Sequence, residues 1–297
     1  MQKLYYDENA PWYRGNLHTH TTLSDGHLDP DEAIQRYRKE GYSFLAITDH
    51  RRFYRYNEEK DFTLLGGTEL DDNDFENHAA WHIIGVGMTK AARYSRGDKA
   101  PRMIQAVHEA GGIAVLGHPA WSLLTHRDMM SLDGIFATEI YSGVSEAYTG
   151  RGDSSEYVDA CAAKGCRHML LGVDDTHHYD RDAFQAWIML QAPSLSREDL
   201  MASLLAGNFY ATEGGPGFRQ ITVDGDTIEV QCEPSQVVTF YSDAFYCDDR
   251  VQYAAAAPIR SATYKIKKSD SFVRVQLTDE KGKRSTSQYI EVNRKPV

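Results

Sequence analysis

Two rhythms of apolar and polar residues alternate along roughly the first two thirds of the chain. After a polar lead-in, Tyr13 to His18 reads as a short strand. Asp29 then stands as an N-cap with Pro30 at the first helical position. Ala33, Ile34 and Tyr37 give helical spacing, and Gly41 stops the helix. Phe44 to Thr48 reads as a buried strand that delivers Asp49 and His50 at its end, which completes a β-α-β unit.

The pattern recurs. LLGGTEL presents Glu69 at a strand end, and WHIIGVGM is an apolar run carrying His82. A helix from about Pro101 to Ala110 puts Met103, Ile104 and Val107 on one face before Gly111 and Gly112. IAVLGHP is a strand ending at His118, and Gly134 to Tyr141 is a strand containing Glu139. After Asp153, the spacing of Tyr157, Val158, Cys161 and Ala162 predicts a helix closed by Gly165. HMLLGVDDTH is a strand whose end supplies Asp174, Asp175 and His177. AWIML is a further strand, and a helix runs from about Ser196 to Gly207.

Strands alternating with helices call for an α/β fold with a largely parallel sheet, and about seven such units predict a barrel with its chemistry at the carboxyl ends of the strands. His20, His50, Glu69, His118, Asp175 and His177 obey that rule. His82 and Glu139 fit it less cleanly, because apolar residues follow them within the same run. Beyond Gly207 the rhythm changes to alternation broken by turn residues, with no convincing helix. The expected division is residues 1–215 for the barrel and 216–297 for a small antiparallel β-rich domain.

Composition narrows the function classes. Forty-three acidic residues outnumber 32 Lys and Arg, so the formal net charge of -11 makes a nucleic-acid polymer a poor partner unless bound metal reverses the local field. The start lacks the apolar core of a secretory signal, and no run approaches a membrane span. The expectation is a soluble, cytoplasmic protein. Cys161, Cys166, Cys232 and Cys247 are too scattered for a disulfide framework and read as free thiols.

The stretch LHTHTTLSDG, followed by AITDH, carries the chemistry. His18 and His20 lie two apart on a strand and so face the same way, and with Asp25 and His50 they offer the imidazole and carboxylate donors that divalent transition metals prefer. A lone His or Glu is more often a core or salt-bridge residue; here the set carries the weight. Asp49 and Asp174 neighbour these donors and are candidates to orient them. Arg51, Arg52 and Arg55 are candidates to clamp a substrate phosphate. His78, His126, His178 and Arg151 are candidates to protonate a leaving group or hold an anion.

HTHTTLSDG, ITDH, GTE, WHIIGVG, LGHP and DDTH, in that order, resemble the PHP (polymerase and histidinol phosphatase) superfamily over about residues 14 to 180. GNFYAT…GPG and the β-rich tail are similar to carbaryl-hydrolase-like PHP metallohydrolases. The resemblance implies a distorted (β/α)7 TIM-like barrel with two or three divalent ions (Zn, Mn or Fe). By motif, His18, His20, Glu69 and Asp175 would hold one ion. Glu69 would bridge to a second, held also by His82 and His118, and Asp25, His50 and His177 would hold a third. Glu69, Asp175 and His177 would be catalytic, and Glu139 would support the ligands without binding metal. Ions about 3.5–4 Å apart lower the pKa of a shared water toward about 7 and so supply a bridging hydroxide as nucleophile. The expected activity is a phosphoesterase acting on a small phosphorylated metabolite or nucleotide. Hydrolysis of an ester, amide or carbamate by the same cluster, and a noncatalytic metal-stabilised binding module, are the alternatives.

Overall fold

The computed structural model describes residues 3–74 and 79–292. In chain order the first half contains β1 (Lys3–Tyr6), β2 (Trp12–Asn16), α1 (Pro30–Lys39), β3 (Phe44–Ala46), β4 (Asn57–Glu58), β5 (Thr63–Leu65), β6 (Gly67–Asp74), β7 (Ala79–Val86), α2 (Ala100–Glu109), β8 (Ile113–Leu116), α3 (His126–Met130) and β9 (Ile135–Ser142). Then come α4 (Gly143–Thr149), α5 (Ser155–Ala162), β10 (Met169–Val173), β11 (Trp187–Gln191), α6 (Arg197–Leu205) and β12 (Phe209–Thr212). The tail is all strand: β13 (Phe218–Asp224), β14 (Thr227–Ser235), β15 (Val237–Ser242), β16 (Val251–Tyr253), β17 (Ile259–Lys265), β18 (Phe272–Thr278), β19 (Arg284–Thr286) and β20 (Ile290–Glu291).

Local chemistry fixes the helix ends as the sequence predicts. The Asp29 carboxylate accepts the Glu32 N–H at 3.0 Å, and Gly41 leaves α1 with φ 80°, a conformation that costs glycine little. Ala33, Ile34 and Tyr37 turn inward from α1, and Met103, Ile104 and Val107 do the same from α2. The short helices α3 and α4 were not anticipated. A capping box between Thr125 and Asp128 opens α3.

The architecture is mixed α/β. Strands β10-β9-β8-β7-β6 form one sheet, β1-β13-β14-β17 a second, and a long third sheet runs β16-β15-β18-β19-β12-β11-β2-β3-β5-β4. The ladders therefore do not close into one barrel sheet. Single parallel bridges, Thr19 to Thr176 and His50 to Glu69, join the segments just past β2 and β3, inner strands of the third sheet, to the ends of the first sheet at β10 and β6. Nor is the pairing uniformly parallel, because β7 runs antiparallel to both β6 and β8. This reversal explains His82. In a reversed strand the amino-terminal half lies at the end where neighbouring strands finish, so apolar residues must follow His82 rather than precede it.

Three apolar cores fill the space between helices and sheets, one around Ile83, Met103 and Leu116, one around Leu65, Val173 and Leu190, and one under α1 around Ile34, Tyr37 and Ile47. A separate core joins Ile221, Val230, Phe240 and Val275 between the tail sheets. Tyr6 belongs to it. The polar lead-in thus forms a strand, β1, that pairs with β13 and packs with the tail. Among the described residues, no helix is long and apolar enough to cross a membrane, and all four cysteines are free.

Candidate metal centre

Beyond β2 the chain bends at Leu17 and bridges again at Thr19, and the His18 and His20 side chains meet on one side, both fully buried. The turn after them is glycine-dependent: a Cβ on Gly26 would sit 2.4 Å from the His20 carbonyl carbon. That close approach brings Asp25 back over the His20 ring. His50 follows β3, His118 follows β8 and Asp175 follows β10. His118 and Asp175 have φ of 24° and 53°. Left-handed backbone costs a non-glycine residue on the order of 1–2 kcal/mol. It is held by the Asp175 N–H on the His18 carbonyl at 3.0 Å and the His118 N–H on Glu139 Oε2 at 2.8 Å.

Nine donors converge there. His18 Nε2 and His20 Nε2 lie 3.2 Å apart, each 3.2 Å from Asp175 Oδ1, and 3.4 and 3.1 Å from Glu69 Oε2. Donors about 2.0–2.2 Å from one cation, at right or tetrahedral angles, must lie roughly 2.8–3.6 Å from each other. All five separations fall in that window. Glu69 turns its second oxygen the other way, with Oε1 2.6 Å from His82 Nδ1 and 3.8 Å from His118 Nε2. Asp25 lies 3.3 Å from His20, 3.7 Å from His50 and 3.6 Å from His177.

Tautomers are set from behind. His18 Nδ1 donates to Glu139 Oε1 at 2.7 Å, and His177 Nδ1 donates to the Asp175 carbonyl at 2.8 Å. His118 Nδ1 lies 3.1 Å from Ser122 Oγ, and His20 Nδ1 lies 3.3 Å from Ser24 Oγ. The carboxylate and the carbonyl leave His18 and His177 an Nε2 lone pair for the cluster, and the two hydroxyls hold the orientations of the His118 and His20 rings. His50 Nδ1, His82 Nε2, Asp71 Oδ1 and Asp175 Oδ1 are buried with no hydrogen-bond partner among the described residues. Of these residues His50, His82 and Asp175 line one cavity, and imidazole lone pairs and a carboxylate oxygen without partners are what a bound cation would satisfy.

Titration follows the crowding. Burial opposes charge on His18, yet Asp175, Glu139 and Glu69 hold its imidazole well above the ordinary range. Burial likewise opposes charge on Glu69, and His50, His82 and His18 nonetheless hold it well below the usual carboxylate range. Asp175 is lowered in the same way, chiefly by His18 against its burial. A cation bound among these groups would disfavour the protonated imidazoles, so its binding would release protons.

Three further buried carboxylates hold the loops. Asp49 accepts the Thr21 and Ser24 N–H groups at 2.7 and 3.1 Å. Asp174 accepts the N–H groups of Phe184, Gln185 and Ala186, the Tyr37 hydroxyl and the Asn16 amide. Asp182 accepts those of His177, His178 and Tyr179 at 2.7–2.8 Å.

The centre floors a cavity of about 360 Å³, walled by Trp121, Val144, Tyr148, Thr149 and His178. A roomier cavity of about 450 Å³ around Trp12, Trp187 and Phe218 shares no residue with it. The structure does not bring Arg51, Arg52, Arg55 or Arg151 to the lining. Arg51 is turned back into an ion pair with Asp71, and Arg52, Arg55 and Arg151 are exposed. His126 opens α3 outside the cavity, and His78 lies outside the described residues. Sequence reasoning missed Asp71, Ser122, Asp182, Trp121 and Tyr148. Asp71 had a signal: it lies two residues after Glu69 on the same strand, and it reaches within 3.2 Å of His50 Nδ1.

Comparison with known proteins agrees with this geometry. A sequence model of the PHP domain matches residues 16–174. An uncharacterized protein of Methanocaldococcus jannaschii is 32% identical over 109 residues, 35% of this chain and 45% of that protein. The phosphoribosyl 1,2-cyclic phosphate 1,2-diphosphodiesterase of Eggerthella lenta is 29% identical over 83 residues, 26% of this chain and 32% of that enzyme. The chain thus spans less than half the length of either relative. A two-domain protein of Bacteroides vulgatus containing a predicted PHP-like metal-dependent phosphoesterase shares the fold, with a TM-score of 0.56 at 10% identity over 97% of this chain and 96% of that one.

Proposed function

Since the chain belongs to the PHP domain family, we propose that it is a metal-dependent phosphoesterase acting on a small phosphorylated substrate. The observation that carries the reading is the donor spacing, with five separations of 3.1–3.4 Å among His18, His20, Glu69 and Asp175. These four residues would hold one cation. Glu69 would reach a second with His118 and His82, and Asp25, His50 and His177 would hold a third with His20. Two or three ions of the Zn, Mn or Fe kind suit this mixture of imidazole and carboxylate.

When bound, such ions supply Lewis acidity toward phosphoryl oxygens and an activated water. The chain's own residues do the rest. Glu139 fixes the His18 ring, Asp182 fixes the segment carrying His177, and the walls limit the substrate to a small molecule. We read the first sheet and the bridged strands of the third as two arcs of a distorted (β/α)7 barrel. The strands from Phe218 to Glu291 are the core of the second, β-rich domain expected over residues 216–297. Free cysteines and the lack of a long apolar helix among the described residues support a cytoplasmic site of action.

The test is a panel of p-nitrophenyl phosphate, bis-p-nitrophenyl phosphate and 1-naphthyl esters and carbamates, assayed after chelation and after return of Mn, Zn or Fe. Metal-restored turnover of a phosphate ester is expected. Carbonyl cleavage without phosphate turnover would overturn the reading.

A further inference from the structure

The cavity has two unlike surfaces. Its floor is the donor cluster, and one wall is aromatic. Trp121 stands edge-on to His118 and His82, with ring centroids 4.9 and 5.5 Å away, so its position is tied to the donors. Across from the floor, α4 begins where β9, the strand carrying Glu139, ends, and it presents Val144 and Tyr148 to the cavity. The Tyr148 ring, on a residue 39% exposed, is held by three contacts. Its hydroxyl donates to Asp180 at 2.5 Å, the Arg181 guanidinium lies 4.3 Å over one face, and the His178 ring packs 4.8 Å away. Rings held in place by their neighbours lose little freedom when a ligand arrives, so they bind flat apolar groups at low entropic cost.

We propose that Trp121 and Tyr148 form a leaving-group subsite for a planar, uncharged aromatic ring. The preferred substrates are then phosphate esters whose leaving group carries such a ring, rather than esters of short alkyl alcohols. This rests on the phosphoesterase reading and sharpens it. The reaction is hydrolysis: the oxygen of water bonds to phosphorus, the ester P–O bond breaks, and the ring-bearing oxygen leaves with one of the water's protons. Anchored on the floor, the phosphoryl group places whatever lies beyond the breaking bond against the wall. A cavity of about 360 Å³ has room for a phosphoryl group and one or two rings.

The experiment compares 1-naphthyl phosphate with glycerol 3-phosphate on the full chain loaded with Mn. Intrinsic leaving-group reactivity cancels when the ratio of their kcat/KM values is compared between the native protein and a variant. Trp121→Ala and Tyr148→Ala should each lower that ratio by about 5- to 100-fold, mostly through the KM of the naphthyl ester, whereas Trp121→Phe and Tyr148→Phe should restore most of it. Tyr148→Ala is the decisive variant, because its ring packs on His178 and Arg181 rather than on a donor. An unchanged ratio in Tyr148→Ala would overturn the subsite. Calorimetric binding of 1-naphthyl phosphate to the native protein and to Tyr148→Ala, both stripped of metal, reads the subsite without turnover. If neither ester is hydrolysed, the phosphoesterase reading fails. The subsite then stands on weaker naphthyl binding by Tyr148→Ala and falls on equal binding.

Discussion

Asp175 and Asp270 are both buried carboxylates, and their surroundings are opposite. Around Asp270, in the tail, both oxygens accept hydrogen bonds from matched donors. Ser242 Oγ gives one oxygen a hydrogen bond at 2.7 Å, and the other accepts from Tyr264 Oη and the Lys267 N–H, each at 2.8 Å. Around Asp175 the neighbours are imidazole nitrogens at 3.2 Å, and Oδ1 makes no hydrogen bond among the described residues. Folding alone accounts for the first arrangement, because a buried charge with matched donors is held by what surrounds it. The second is left incomplete by the protein, which is how a site for an ion differs from a core.

Breaking the incomplete side has the largest expected effect. Glu69→Gln or Asp175→Asn removes a charge shared among several imidazoles, and phosphate-ester turnover should fall by about a thousandfold or more while circular dichroism stays native. Full activity in either variant would mean that the donors do not act as one centre. The complementary measurement is thermal unfolding with and without Mn. At a cation concentration 100 to 1,000 times its Kd, binding adds roughly 2.7–4 kcal/mol to native stability, and Asp175→Asn should lose most of that gain.

Breaking the complete side should do the reverse. Asp270→Asn turns an amide NH₂ toward groups that already donate, so the native state should lose roughly 1–3 kcal/mol in urea unfolding, with the metal-induced stabilisation retained. A variant with native stability would remove the contrast between the two carboxylates. Between these extremes lies Glu139, which is matched by donors yet touches His18 and His118. Glu139→Gln should weaken metal binding by about 10- to 100-fold, measured by competition with a chelator.

How much of this was legible depended on whether the signal was local. Asp29-Pro30 and Gly41 mark α1 within a few residues of its ends, and the donor motifs sit where strands finish. Strand direction is not local. Nothing in WHIIGVGM distinguishes a reversed β7 from a parallel strand, so His82 looked misplaced until its neighbours were known. Lys3–Tyr6 is too short and polar to announce a strand, and its partner β13 lies more than 200 residues on. Trp121 and Tyr148 lie in segments without strong periodicity, and only the fold brings them to one cavity. Asp182 was invisible for a related reason: its role is to receive three backbone N–H groups of a loop whose shape the sequence does not state.

The arginines after His50 supply the smallest expected effect and the sharpest check on where the incomplete region ends. A guanidinium that grips phosphate must lie where the phosphoryl group sits, and Arg52 and Arg55 are exposed and absent from the lining. Exposed side chains outside a site change stability by roughly 0.5 kcal/mol or less. In the native protein no arginine or lysine among the described residues lines the cavity, so the charge on its lining comes from the donors and whatever they bind. Arg52→Ala combined with Arg55→Ala should shift KM for a phosphate ester by less than about threefold, through the long-range field alone, and that shift should vanish as salt is raised. A tenfold or larger rise in KM that persists at high salt would mean that these side chains swing in to meet the substrate, and the boundary of the centre would have to be redrawn to include them.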